Sequence, residues 1–142
     1  YGMTKAEMEK IPNAKFTSGK DKYGQEATIA NYNGEKIELL MSQIYGGENK
    51  PNVIGIYNLS TKSPKFKTKS GIGVGNTKDQ LLDAYRNYPN YSVNQMWDEK
   101  TEKKSTTETS FTLTDSDSYT ELFFRLINNV VVEVTVYMNE GC

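Results

Sequence analysis

The stretch TELFFRLINNVVVEVTVYM (120–138) constrains the fold more than any other part of the chain. Apolar residues recur at alternate positions on either side of Asn128-Asn129, the period of two that marks half-buried strands. Val130, Val132, Val134 and Val136 occupy one face of the second strand, and Leu122, Phe124 and Leu126 occupy one face of the first. A two-residue Asn128-Asn129 turn pairs 127 with 130 and sets these two groups on opposite faces. A three-residue loop, Ile127 to Asn129, pairs 126 with 130 and unites them. Burial favours the three-residue loop, because a slip of one residue turns a whole strand over. The other face then carries Glu121, Phe123, Arg125, Val131, Glu133, Thr135 and Tyr137, a mixture suited to water or to a partner. By the same alternation, Ile54 and Ile56 of VIGIYNLS (53–60) point to the core and Tyr57 joins the open side.

More strands are legible upstream. ATIANYN (27–33) and KIELLMSQ (36–43) flank Asn33-Gly34, a strong hairpin dipeptide. YSVNQMW (91–97) and FTLTD (111–115) also read as strands, SGKDKYG (18–24) as a turn, and DEKTEKKSTTETS (98–110) as a long, mobile hairpin loop. Two helices are expected. In YGMTKAEMEKIPNAKF, Thr4 caps, Glu7 completes a capping box, Met8 and Ile11 share a face, and Pro12 ends the run. The second covers about 77–88, with Leu81, Tyr85 and Tyr88 at helical spacing beside Leu82.

That second helix follows GIGVGNTKDQLLDAY (71–85), whose glycines suggest a phosphate loop. A Walker loop ends in Gly-Lys-Ser/Thr, whereas Gly75 is followed by Asn76-Thr77. A dinucleotide fingerprint needs a buried strand before the glycines, and here KFKTKS precedes them. Capping explains more: Asn76 or Thr77 accepts from the first amides, and Gln80 closes a box with Thr77. The loop starts a helix.

Composition excludes several chemistries. The 142 residues include no histidine, which removes imidazole acid–base catalysis, His-activated nucleophiles and the commonest transition-metal ligand. The lone cysteine, Cys142, excludes an internal disulfide and a cysteine-rich zinc site, and reads as a surface thiol or an intermolecular bridge. A net charge of −1 lacks the footprint of a nucleic-acid binder. Mean hydropathy is −0.69, and no apolar run approaches the ~18 residues of a membrane span. No catalytic residue, metal ligand or cofactor site is expected. A chain opening on Tyr1 reads as trimmed or processed, so a leader would have been lost.

Other candidates have plain structural readings. Lys65, Lys67 and Lys69 would either meet an anionic surface or guard an exposed edge strand. Asp115 and Asp117 in TDSDSY are read as turn residues before a hydrolytic pair or a calcium loop. Tyr85 and Tyr88 fit the helix's core face, while Tyr91 and Trp97 suit core or contact surface equally.

Gly2, Thr4, Lys5 and Met8 correspond to Gly75, Thr77, Lys78 and Leu81, and strands follow each set. This pattern resembles the repeat of the beta-lactamase inhibitor protein family and of the related SmpA/OmlA small outer-membrane lipoproteins. The likeness spans two unequal halves, 1–60 and 61–142. It implies an α+β fold in which two helix-then-strands repeats share a curved antiparallel sheet, helices on one face, the opposite face engaging proteins. It also implies a periplasmic or surface-exposed place in a bacterial envelope, and leaves open whether a lipid anchor lies upstream of Tyr1.

The expected function is therefore non-catalytic protein binding through Tyr57, Trp97, Phe123, Arg125, Glu133 and Tyr137. The alternatives are a small-molecule or glycan-binding module stacking ligands on Trp97 and the tyrosines, and a carboxylate-dependent hydrolase using Asp115 and Asp117.

Overall fold

The computed structural model describes residues 3–44 and 48–138. Tyr1, Gly2 and Cys142, on which the processing, the repeat pattern and the thiol reading partly rest, lie outside the described residues. Contacts divide the chain into two compact units, Tyr1–Thr61 and Lys62–Cys142.

The first unit consists of α1 (Lys5–Met8), β1 (Ala14–Lys20), β2 (Glu26–Tyr32), β3 (Glu35–Ile44) and β4 (Val53–Thr61). Its strands follow one another in space as in sequence, each antiparallel to the next. The expected capping box starts α1: Thr4 Oγ1 accepts the Glu7 amide, and the Glu7 carboxylate accepts the Thr4 amide. Asn33 (φ 50) and Gly34 (φ 85) make the β2–β3 turn with the left-handed angles that a two-residue hairpin demands. Met8, Ala30, Leu39 and Ile56 form the core, with Phe16, Ile37, Met41 and Leu59 against them. Leu40 pairs with Asn58 and Met41 with Ile56, so Tyr57 is the extra residue of a bulge. Ile54, expected in the core beside Ile56, is 57% exposed. It sits at the start of β4, outside the cluster that the single buried helix residue, Met8, completes.

The second unit consists of α2 (Lys78–Tyr85), β5 (Tyr91–Asp98), β6 (Lys103–Asp115), β7 (Thr120–Ile127) and β8 (Val130–Met138), in the spatial order β8-β7-β6-β5. All neighbours are antiparallel. Leu81 and Tyr85 bury the α2 stripe against Phe111, Leu113, Phe124, Leu126 and Val131. The Phe111 and Phe124 rings meet edge-on at 6.3 Å, and Tyr85 lies 6.2 Å from each. The Tyr85 hydroxyl is satisfied by Thr68 at 2.7 Å, so the ring is buried without stranding its polar tip.

The β7–β8 turn differs from expectation. Ile127 pairs with Val130 around a two-residue Asn128-Asn129 turn, with φ of 49 and 64. Leu126 then pairs with Val131 but Arg125 with Glu133, so Val132 is an extra residue, and this bulge restores the parity that the turn removed. Leu122 and Phe124 lie opposite Val136 and Val134 as burial requires, while Val131 takes the core position expected of Val130 and Val132. Val130 is 38% exposed.

The α+β architecture of two helix-then-strands repeats with helices on one face is overturned. The described residues are 56% strand and 9% helix, with eight antiparallel strands and only two short helices among them. Those helices bury three side chains between them, Met8, Leu81 and Tyr85, too few for a helical layer. Strand replaces two segments expected as turn or loop: β1 covers Ala14–Lys20, and β6 begins at Lys103 rather than Phe111. Both are mainly polar in composition, so no sustained alternation of apolar residues marks them. The second helix stops at Tyr85, short of residue 88.

Thr77 caps α2 through its side chain, which accepts the Gln80 amide, while Gln80 accepts the Thr77 amide at 2.9 Å. Thr77→Ala is expected to lower unfolding free energy by about 1 kcal/mol, read as a lower urea midpoint at unchanged slope.

Candidate functional site

The pairing registers of the second unit align its polar side chains in rows across the strands. One row is Ser92, Thr112, Phe123 and Thr135; the next is Asn94, Ser110, Arg125 and Glu133; a third is Thr114, Glu121 and Tyr137. Four of the six expected contact residues therefore lie on one face: Phe123, Arg125, Glu133 and Tyr137. The expectation placed Val131 there too, but Val131 is in the core at 1% exposure.

The charges on this face are paired. Arg125 forms a fork with Glu108, donating from Nε at 3.1 Å and from Nη2 at 3.0 Å. Such bidentate pairs fix the guanidinium plane more strongly than a single contact would. Glu133 is 6% exposed, directly across from Arg125, and Lys62 approaches it to 3.7 Å. Tyr137 donates its hydroxyl to the Glu121 carboxylate. Burial first, and then the hydrogen bond and charge of Glu121, push the Tyr137 phenol up to about 12. Phe123 and Tyr137 pack edge-to-face with centroids 6.5 Å apart, both half-buried. An aromatic pair thus sits among polar groups that are already oriented.

The other two expected residues lie elsewhere. Tyr57 is the half-buried bulge residue of β4, in the first unit. Trp97 lies near the far end of β5 opposite Lys104 and is 61% exposed. Tyr91 stacks on Phe111 at 5.4 Å. Lys65, Lys67 and Lys69 do not form an edge strand, since their segment is turns with one isolated bridge, Lys67 to Gly73. The Lys67 ammonium is spent on the Val74 carbonyl and Asn76 Oδ1.

Asp115 organises the β6–β7 turn. Its Oδ1 accepts the Asp117 and Ser118 amides and its Oδ2 the Ser118 hydroxyl. The Ser118 hydroxyl, then the two amides, hold its carboxyl below the usual range, the opposite of what a general acid needs. Among the described residues no group of three or more His, Cys, Asp or Glu is placed to hold a metal ion. No helix among them is long and apolar enough to cross a membrane.

Most amides of the glycine loop already have protein partners. The Gly73 amide donates to Asn76 Oδ1, Gly75 to the Val131 carbonyl, Asn76 to the Gly73 carbonyl, and Lys78 to the Asn129 carbonyl. Thr77 and Gln80 donate within the capping box. Gly75 has φ 93, and a Cβ on Gly73 would stand 2.4 Å from the Phe66 carbonyl oxygen, so each glycine has a local reason. An open groove of about 890 Å³ in the first unit, lined by Lys15, Thr17, Ile29, Asn31 and Lys36 among others, contains none of the expected contact residues.

Sequence reasoning missed Lys62 and Glu108 as partners of the contact residues. Glu108 fell in the supposed loop, and only the β6 pairing, which sets it opposite Ile127, brings it to Arg125. A scan of protein-family models and searches of curated proteins and of solved structures find no match to this chain.

The fold favours the protonated Tyr137 phenol, raising its pKa above the ordinary 10.0. Its contribution to stability is therefore whole below pH about 10 and is lost as pH rises towards about 12. The urea midpoints of the parent chain and of Tyr137→Phe should differ by a constant amount below pH about 10 and converge above it. A gap that stays flat to pH about 12 would contradict the assignment.

Proposed function

We propose that this chain is a non-catalytic bacterial envelope protein that binds another protein through the polar face of its second unit. The observation that carries the reading is the Phe123–Tyr137 pair, half-buried and surrounded by side chains whose charges are already matched. Binding energy at protein interfaces concentrates on aromatic anchors ringed by polar contacts. The surroundings are preassembled: Arg125 is held by Glu108, Glu133 faces Lys62, and the buried Thr112 and Thr135 support Phe123 across the strands. Little side-chain freedom is left to lose on docking, which lowers the cost of association. Arg125 and Glu133 fix orientation. The envelope location and the likeness to beta-lactamase inhibitor and SmpA/OmlA proteins rest on the Gly-x-Thr-Lys pattern at the two helix starts.

Glycan or small-molecule binding is the second reading, carried by the open indole of Trp97, 61% exposed. The chain contains one tryptophan, so its fluorescence reports that side chain alone. Saturable quenching by soluble oligosaccharides would favour this reading over the first.

The test of the leading proposal compares the parent chain with Phe123→Ala and with Tyr23→Ala, an exposed aromatic of the first unit, as the control. In capture from bacterial envelope extracts followed by affinity measurement on the captured protein, Phe123→Ala should weaken binding by about 30-fold or more. Tyr23→Ala should leave it unchanged. The melting temperature of Phe123→Ala should fall by less than about 4 °C; a larger fall assigns the ring to the fold instead.

A further inference from the structure

β5 forms the outer edge of the second unit's sheet, and residues 91–95 are all exposed. An edge strand offers unpaired amides and carbonyls, and proteins ordinarily blunt it with lysine, proline or a short length. β1, the outer strand of the first unit, follows this rule: exposed Lys15 and Lys20 lie along it. β5 follows it only in part. Its register with β6 shifts at a bulge between Gln95 and Trp97, but its regular stretch, residues 91–95, contains neither a charge nor a proline.

The direction of its free backbone groups follows from one bond. The Thr114 amide donates to the Asn90 carbonyl, so residue 90 is turned towards β6. In an antiparallel ladder this orientation alternates, so Ser92 and Asn94 also face β6. Tyr91, Val93 and Gln95 then aim their amides and carbonyls outward, a set symmetric about Val93. Their side chains lie on the core face: Tyr91 stacks on Phe111, and Tyr91 and Val93 are 39% and 36% exposed along the rim.

We propose that β5 pairs with β5 of a second copy of this chain, antiparallel and two-fold symmetric about Val93. That register joins Val93 to its counterpart and Tyr91 to Gln95 of the other copy, so every outward amide and carbonyl of the three residues finds a partner. Ser92 then lies opposite Asn94. No like charges oppose each other, because residues 91–95 carry none, and both core faces lie on the same side, so the exposed Tyr91 and Val93 rims meet. The contact is isologous and closes at two copies. One short strand buries little area, so the dimer is weak and concentration-dependent. The edge is distinct from the polar face, and the two proposals stand or fall separately.

Sedimentation equilibrium of the intact chain from about 10 μM to about 1 mM should show a monomer giving way to a dimer. Over the same range, amide hydrogen exchange at Tyr91, Val93 and Gln95 should slow, while Ser92 and Asn94, bonded to β6, are protected throughout. Val93→Lys, which sets two lysines face to face, should raise the dimer dissociation constant at least about tenfold without lowering the melting temperature. The exchange pattern of the unaltered chain decides the matter if that variant folds poorly. A monomer at every concentration, or a dimer in which the three odd-numbered amides exchange as fast as in the monomer, overturns the proposal. So does protection of those amides only when a foreign extended peptide is added, which would give the edge to another protein.

Discussion

The second unit depends on how Val131 is held. Its side chain is 1% exposed in the core opposite Leu126, its amide donates to the Asn76 carbonyl, and its carbonyl accepts the Gly75 amide. Three constraints meet in one residue: the hydrophobic demand of the sheet, the ladder that ties down the glycine loop, and the start of the bulge at Val132. Because Val131 cannot turn outward, the strand must gain one residue before Glu133 for the later alternation to agree with β7. The bulge supplies it. Glu133, Thr135 and Tyr137 consequently share a face with Phe123 and Arg125, so the composition of the candidate site is a by-product of a packing decision made at the hairpin end.

The polar face also bears on how buried charge is tolerated. Glu121 and Glu133 are 9% and 6% exposed, positions where an unmatched carboxylate would be costly. Tyr137 answers the first with a hydroxyl, and Lys62 approaches the second, its ammonium end remaining in water. Glu108 answers Arg125 from the neighbouring strand. Truncating either member of the Arg125–Glu108 fork leaves a partly buried charge behind, and for that reason a phenylalanine on this face is a cleaner probe of binding than its charged neighbours.

What was legible in the sequence follows where burial is one-sided. VVVEVTVYM and TELFFRLI coincide with β8 and β7 because one face of each is sealed, and both capping boxes formed because Thr4–Glu7 and Thr77–Gln80 need only local geometry. β1 and the first half of β6 were illegible because each carries too few apolar residues, Phe16 the only large one in β1, for Thr, Ser and Lys to leave a periodic trace. The two-residue turn was misread for a different reason. Hydrophobic parity correctly required an odd offset, but the offset can be placed in the loop or in a bulge, and only the contacts of Val131 choose. Of the site, the face holding Phe123, Arg125, Glu133 and Tyr137 followed from alternation, whereas Glu108 and Lys62 depended on pairings between distant segments.

The glycine loop shows why a motif must be judged by where its amides go. A phosphate cradle works by leaving several amides without protein partners at a helix start. Here the same glycine-rich composition serves the opposite end: Gly75 and Lys78 donate to Val131 and Asn129, strapping the loop to the β7–β8 hairpin, and Asn76 folds its side chain back onto Gly73. Glycine at 73 is set by the nearness of the Phe66 carbonyl, and glycine at 75 by a positive φ. The Gly75 and Lys78 amides thus hold the loop and the start of α2 against the hairpin, the same hairpin whose register fixes the polar face. The loop's part is then indirect: it secures Val131, and through Val131 it decides which side chains share the polar face.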